Sequence, residues 1–333
     1  MRLQKPDCFQ RRRNALSNSC VNAWDRPKGD FPLNNAISNE LTESFAAIAQ
    51  GDTGRAQKLL EAATAQGSLL ARALADLLGS GEHGTVYDQP AAFEAFIRGG
   101  DNMPLYAAVS AALAHLYDAF AVNTLLDVGC GDGMALIPAL AQTGHIPSRV
   151  DLVEPSPALL SHATGQLASS ARLQQNHIRT WPLTAQAFCD ALEPSMQWDL
   201  AQASFSLQNL PPSEREQTLR RLRPHLRRLA LIEFDVPPLV YDTEAYFISL
   251  AQRYERALRA YHDDALLIAG GFLAPMLLGQ VRQTTKPSNW EQPISAWVEE
   301  LQRAGYTVLR TEKLFDYSWS PAVLMLAEPG ASA

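Results

Sequence analysis

From Asn123 to about Phe234, short apolar runs alternate with helical stretches, and few architectures can absorb that order. The runs TLLDVG, VDLVEP, a weaker one near Ile178, WDLAQASFSL and LALIEF are separated by GMALIPALAQTG, PALLSHATGQLASS and SEREQTLRRLRPHL. Such alternation predicts a parallel sheet covered by helices, with right-handed crossovers. At 333 residues and 47% apolar content the chain can build one large domain and a smaller one.

The flanks of this alternation are different in kind. Residues 1–35 show no apolar periodicity and no continuous apolar stretch of the secretory sort, and are read as a disordered tail. Residues 36–105 are read as a helical cap: Leu41, Phe45 and Ile48 recur at helical spacing, and Asp52 precedes GRAQKLLEAATAQ as an N-cap. A short helix is expected to break at Gly99-Gly100, with a second from about Pro104 to Phe120. Residues 106–333 form the main domain, interrupted by an insertion at about 236–293. There Tyr246, Leu250, Tyr254, Leu258 and Tyr261 follow one face of a predicted amphipathic helix. The run Ala265 to Val281 is interrupted by Gly270, Gly271 and Pro275 and is too short to span a bilayer comfortably, so burial against protein is expected.

Charge narrows the partners. The formal net charge is −7, yet the first 28 residues carry net +5, which leaves −12 for the remainder. A body so acidic is a poor match for nucleic acid, whose binding needs clustered positive charge. Cys8, Cys20, Cys130 and Cys189 show no CxxC or other metal-ligand spacing, so no metal site is expected and a reducing, cytoplasmic location fits.

The chemistry centres on LLDVGCGDG, Leu125 to Gly133. It ends a predicted strand and opens a predicted helix, where Gly129, Gly131 and Gly133 let the backbone turn sharply and a ligand approach closely. The spacing is GxGxG, not the GxGxxG of dinucleotide sites. Asp127 and Asp132 are poor neighbours for a pyrophosphate and tolerable ones for a cation.

This stretch resembles motif I of class I S-adenosylmethionine-dependent methyltransferases, and VDLVEPS resembles the second-strand motif of that family. Glu154 stands 21 residues after Gly133, at the family position whose carboxylate accepts both ribose hydroxyls. The resemblance extends over roughly residues 87–330. It implies a Rossmann-like, mostly parallel seven-stranded sheet closed by a C-terminal antiparallel hairpin, GYTVLRTEKLFDYSWSPAVLMLAEP, with the N-terminal helical cap and a helical lid insertion. It implies S-adenosyl-L-methionine as cofactor, held by Asp127, Gly129, Gly131 and Gly133, by Glu154 and Pro155, and by Thr184, Ala185 and Gln186. Ser204 and Phe205 stand at the end of strand four beside Ser206 and Leu207, and Arg98 is placed to reach the methionyl carboxylate or an acidic acceptor. Gln186 replaces the acid the family often carries there; its amide oxygen can still accept from an adenine amino group. No NPPY-like or DPPY-like stretch comes after strand four, which disfavours methylation of nucleic-acid bases.

Acceptor-side candidates are Tyr87, Phe96 and Tyr106, then Tyr246 and Tyr254 in the lid, and Tyr317 and Trp319 in the final hairpin; ordinary packing competes at each. His262 and Asp263, with Asp264, form the densest titratable cluster of the lid and are candidate catalytic groups, against a solvated helix end. Glu233, with Asp235, lies at the end of strand five, against a structural ion pair. Cys130 is read as a small turn residue. Together these features predict methyl transfer to a modest-sized amphipathic or cationic small molecule in specialised metabolism, at a carbon, nitrogen or oxygen nucleophile, with no membrane span. Oligomeric state, including a homodimer, stays open. So do two other classes: a non-catalytic cofactor-binding module and an NAD-dependent oxidoreductase.

Overall fold

The computed structural model describes residues 35–80, 89–169, 177–282 and 289–330. Seven strands form one sheet in the order β3-β2-β1-β4-β5-β7-β6. They are β1 (Thr124–Val128), β2 (Arg149–Val153), β3 (Ile178–Trp181), β4 (Leu200–Ser204), β5 (Leu229–Phe234), β6 (Tyr306–Phe315) and β7 (Ala322–Pro329). The first five pair in parallel, while β7 runs antiparallel between β5 and β6. The expected sheet and closing hairpin are therefore both present.

Strands β1, β2, β4 and β5 are buried on both faces because helices cover both. On one side lie α5 (Asn102–Ala119), α6 (Leu136–Gln142) and α7 (Pro157–Ser169), whose Leu105, Val109, Leu113, Leu136 and Leu160 pack with Leu125, Leu152, Ile232 and Leu324. On the other lie α8 (Ala185–Asp190), α9 (Pro212–Leu222) and α13 (Ile294–Arg303), where Phe188, Leu219 and Trp297 meet Leu126, Leu231 and Met325. The expected boundary at 105/106 falls inside α5, whose Leu105 packs on the sheet.

A third core is wholly helical. α1 (Asn35–Ala49), α2 (Thr53–Ala65), α3 (Leu69–Ser80) and α4 (Pro90–Arg98) pack with α10 (Glu244–Arg259), α11 (Ala265–Ile268) and α12 (Ala274–Arg282). Asp52 caps α2 as expected, accepting from the Arg55 amide at 3.0 Å. Cap and insertion are thus one layer, built from chain segments some 190 residues apart. The insertion leaves and rejoins the main domain at one point: Asp235 bridges Gln292, and its carboxylate caps α13 by accepting from the Ile294 amide at 2.9 Å. Among the candidates weighed, Asp235 accordingly takes the structural role.

The apolar run of the insertion corrects one expectation. The glycines do not break it: α11 continues through a π-helical turn, Ala269–Leu273, into α12, and the helical stretch His262–Arg282 has 21 residues, enough by length and composition to cross a membrane. Its Ile268, Leu273, Leu277 and Val281 are spent on the helical core instead. Gly271 lets that stretch touch α4, since a Cβ there would meet Ala92 at 2.5 Å.

The helical layer is fastened to the sheet by polar bonds. Asn102 donates to the Phe96 carbonyl (2.6 Å) and the Tyr261 hydroxyl (3.1 Å), and accepts from the Tyr317 hydroxyl (2.9 Å). Arg256 on α10 donates to the carbonyls of Ser318 (2.6 Å) and Tyr317 (3.0 Å). Phe45, fully buried where α1 meets α10, is expected to lower the unfolding free energy by about 3–5 kcal/mol when replaced by Ala, measured by urea denaturation. A loss below about 1 kcal/mol would mean that the cap packs only loosely.

Candidate functional site

The strand order reverses direction at β1 and β4, and open parallel sheets bind ligands at the carboxyl ends of the strands at such a point. A cavity of about 420 Å³ lies there, within the range of small-molecule sites.

One wall is the glycine loop. The amides of Gly129 and Cys130 both donate to the Val153 carbonyl, at 2.7 and 3.2 Å, which bends the exit of β1 over the end of β2. Gly129 takes φ +74° to do so, and a Cβ would strike Ser206, whose hydroxyl donates to the Val128 carbonyl at 2.6 Å. Gly133, at φ +88°, turns the chain into α6, and a Cβ there would meet Ile137 at 2.5 Å. Gly131 faces open space and donates its amide to Glu154 Oε2 at 3.1 Å. Glu154 Oε1 accepts from the Ser156 amide at 2.9 Å, so the carboxylate is aimed at the loop and held by one backbone bond on each oxygen.

Asp127 lies beneath the loop, 3% exposed. Gln202 Nε2 donates to it at 2.9 Å, and Gln202 Oε1 accepts from the Tyr117 hydroxyl at 2.5 Å. Burial raises the Asp127 carboxyl to about 7; the Gln202 bond opposes the rise and the Glu154 charge adds to it.

The opposite wall comes from the ends of β3 and β4 and from the turns that leave them. Thr184 caps α8, accepting from the Ala187 amide at 3.2 Å. Gln186 donates its Nε2 to Glu214 at 2.8 Å, which leaves Oε1 buried and without a partner among the described residues. Ser204 Oγ is likewise buried and, among the described residues, unpartnered. Phe205 occupies left-handed backbone, φ +54°, where a non-glycine residue stores about 1–3 kcal/mol of strain. Its ring stacks on Phe234 at 4.3 Å and meets the Tyr106 ring edge-on at 6.1 Å. Burial, aided by Asp132, pushes the Tyr106 phenol up to about 12.

Of the residues singled out in the sequence, Asp127, Gly129, Gly131, Glu154, Pro155, Thr184, Ala185, Gln186, Ser204, Phe205 and Tyr106 line this cavity. Gly133 shapes the turn behind it. Others lie elsewhere. Arg98 is exposed and pairs with Glu94 one helical turn away at 3.4 Å, because the Gly99-Gly100 break ends its helix facing solvent. Phe96 packs between Tyr261 (5.6 Å) and Phe272 (4.2 Å) in the helical layer. Tyr254 is buried in the same core, its hydroxyl donating to Gln280 at 3.0 Å, and Tyr246 packs edge-on with Tyr241 and Phe247. Tyr317 stacks behind Phe234 at 5.3 Å, and Trp319 meets Tyr254 at 5.5 Å.

His262 and Asp263 form an exposed turn at the end of α10, outside the cavity lining. Glu233 is fully buried but on the opposite face of β5 from Phe234, outside the lining, and accepts from the Gln208 amide at 3.2 Å. Tyr87 lies outside the described residues. Gln202 went unread in the sequence, although a polar residue in the middle of LAQAS was the signal: nothing but a buried partner justifies it there.

Residues 126–231 match the family model for the methyltransferase domain. No curated protein matches the chain. Among solved structures, mitomycin 7-O-methyltransferase MmcR is similar at 16% identity, covering 89% of this chain and 76% of that one, TM-score 0.47. Magnesium protoporphyrin IX methyltransferase ChlM from Synechocystis PCC 6803, with bound SAH, is similar at 14% identity over 72% and 94% of the two chains, TM-score 0.47. A Burkholderia thailandensis 1,6-didemethyltoxoflavin-N1-methyltransferase reaches 18% identity over 67% and 79%, TM-score 0.44. The resemblance to class I S-adenosylmethionine-dependent methyltransferases read from the glycine loop and Glu154 stands.

The folded protein keeps a proton on Asp127 up to about pH 7, whereas the unfolded chain loses it near 3.8. The stability Asp127 contributes is therefore present at acidic pH and lost as pH rises from about 4 to about 7. Asp127→Asn, which cannot ionise, should gain stability relative to the parent as pH rises from 5 to 8, read from urea midpoints. Parallel pH curves for the two proteins would contradict the assignment.

Proposed function

We propose, from the premise that the chain carries a methyltransferase domain of the class I type, that it transfers a methyl group from S-adenosylmethionine to a small-molecule acceptor. The observation that carries the reading is Glu154, aimed at the loop of left-handed glycines across from a wall that leaves Gln186 Oε1 and Ser204 Oγ unpartnered among the described residues. Each orphaned atom costs desolvation free energy until something hydrogen-bonds it, so both suit a polar nucleoside.

The residues present fit that molecule. Glu154 retains lone pairs on both oxygens for two adjacent sugar hydroxyls. Gln186 Oε1 suits an amino group on a base, and its orientation is fixed by the bond from Nε2 to Glu214. Gly131 leaves room for close approach. Asp127, once ionised, offers the site negative charge, and the faces of Tyr106 and Phe205 add about 0.5–2 kcal/mol each for a cation.

When bound, the cofactor supplies a methyl group already activated by its sulfonium. The chain's own task is then to hold a nucleophile in line, within about 3–3.5 Å, and to exclude water. The Phe205 ring in the cavity wall, backed by Phe234 and Tyr317, gives that purpose a rigid apolar surface. With His262 and Asp263 exposed, acceleration rests on positioning, and Tyr106, neutral to about pH 12, serves as a hydrogen-bond donor.

Label transfer tests the reaction. The protein incubated with methyl-labelled cofactor and pooled small metabolites should yield labelled products by mass spectrometry; none would count against turnover. Glu154→Gln should weaken S-adenosylhomocysteine binding about 10- to 100-fold in calorimetry, matching the loss of charge-assisted hydrogen bonds worth about 1.5–3 kcal/mol. Unchanged affinity would remove Glu154 from the site. Gly129→Ala should abolish that binding by driving a methyl into Ser206.

A further inference from the structure

Two buried polar side chains stand behind the cavity without lining it. Gln202, in the middle of β4, and Tyr117, on α5, are both fully buried. They meet in the apolar layer between α5 and the sheet, where an amide and a phenol each cost free energy unless hydrogen-bonded. Tyr117 donates its hydroxyl to Gln202 Oε1, and Gln202 Nε2 donates to Asp127 Oδ2 at 2.9 Å. Asp127 does line the cavity, so this chain of bonds runs from the core of the sheet to the site and ends on its acid.

Every bond in the chain points its proton toward Asp127. A phenol can give or accept and a glutamine amide can present either end, whereas an ionised carboxylate only accepts, so this order of donors is the one a charged Asp127 requires. Polarisation along the chain strengthens its last bond. Burial favours the neutral acid, and the Gln202 bond opposes it, bringing the carboxyl to about 7. The neighbouring titratable groups bring no positive charge. Glu154, at the end of β2, adds to the rise. Burial pushes the Cys130 thiol and the Tyr117 phenol up, and both stay neutral. Asp132 lies further along the loop, accepting from the Met134 amide at 3.2 Å, and Asp151 of β2 is held on the other face of the sheet by Arg149 and Trp198. His115 and Asp118 of α5 are exposed, while β4 and α6 carry no ionisable residue. Among the described residues, the Gln202 bond is what favours the charged form.

We propose that Gln202, its amide held in register by Tyr117, is a positioning residue that fixes the Asp127 carboxylate at the cavity in its charged form, to receive the ammonium at the amino-acid end of the cofactor. This reading rests on S-adenosylmethionine as that cofactor. With Glu154 and Gln186 taking the nucleoside end, the ammonium falls on the Asp127 side of the loop. Gln202 and Tyr117 act through Asp127 and do not touch the ligand. An ammonium pairs with the carboxylate and not with the neutral acid, so affinity for it rises as pH rises through the titration of Asp127.

Two ligands probe this on the full chain by calorimetry: S-adenosylhomocysteine, which carries the ammonium, and 5′-methylthioadenosine, the nucleoside without the amino-acid end. Between about pH 5.5 and about pH 7.5 the charged fraction of Asp127 climbs from a few per cent to about three quarters, so S-adenosylhomocysteine should bind at least about fivefold tighter at the upper value. 5′-Methylthioadenosine should change by less than about twofold. Gln202→Met keeps the length of the side chain and loses the amide, and should move the rise upward by about one pH unit or more. Its S-adenosylhomocysteine binding should then be weaker than the parent's at about pH 7.5 and within about twofold of it at about pH 5.5, where Asp127 is neutral in both. Tyr117→Phe should shift the rise in the same direction. A merely structural loss would weaken both ligands at every pH. Equal pH dependence of the two ligands in the unaltered protein, or a Gln202→Met deficit of the same size at both pH values, would overturn the proposal; if Gln202→Met does not fold, an unshifted rise in Tyr117→Phe overturns it. If neither ligand binds the parent, the cofactor reading falls and takes the proposal with it, whereas binding of both without the pH contrast sinks the proposal alone.

Discussion

The left-handed turn at Gly129 is the constraint on which the site depends. Two successive amides must reach the Val153 carbonyl for β1 to close over β2, and only backbone at φ +74° brings them there. That turn lets Ser206 approach from the end of β4 and lets the Gly131 amide meet Glu154. Three strand ends are thus locked around one small loop. A side chain at Gly129 would break all of these contacts at once, since the space it needs is filled by Ser206.

A second set of bonds joins this edge of the sheet to the helical layer. Asn102 stands at the start of α5 and satisfies three groups: the Phe96 carbonyl of α4, the Tyr261 hydroxyl at the end of α10 and the Tyr317 hydroxyl of the hairpin. A buried amide with all its partners fixes geometry more sharply than apolar contact does, because each bond has a direction. The Tyr317 ring so held stacks on Phe234, and Phe234 on Phe205 in the cavity wall. The helical layer and the site are in this way parts of one packed unit.

The aromatic stripe of the insertion shows how periodicity divides from function. Spacing foretold an amphipathic helix with Tyr246, Tyr254 and Tyr261 near one face, and α10 has that form. It could not say what the face meets. Tyr254 and Tyr261 are consumed by the helical core and its polar hub, while Arg253, on the same helix and unremarkable in sequence, is buried over the Trp319 ring. Arg98 and His262 lie outside the cavity lining for a related reason. Each sits at a helix end beside a turn, and whether such an end points into the molecule or out of it depends on the layer packed around it.

The sequence by itself determined the order of strands and helices, the loop at Gly129 to Gly133 and the acid at Glu154, because periodicity, glycine conformation and short spacings are local properties of the chain. Tertiary structure alone decided that the cap and the insertion form one layer, that Asp127 is buried on Gln202 and Tyr117, and that Arg256 is spent on the carbonyls of the hairpin. Those outcomes depend on desolvation and on partners dozens to hundreds of residues away, and no local pattern records how much water a charge will lose.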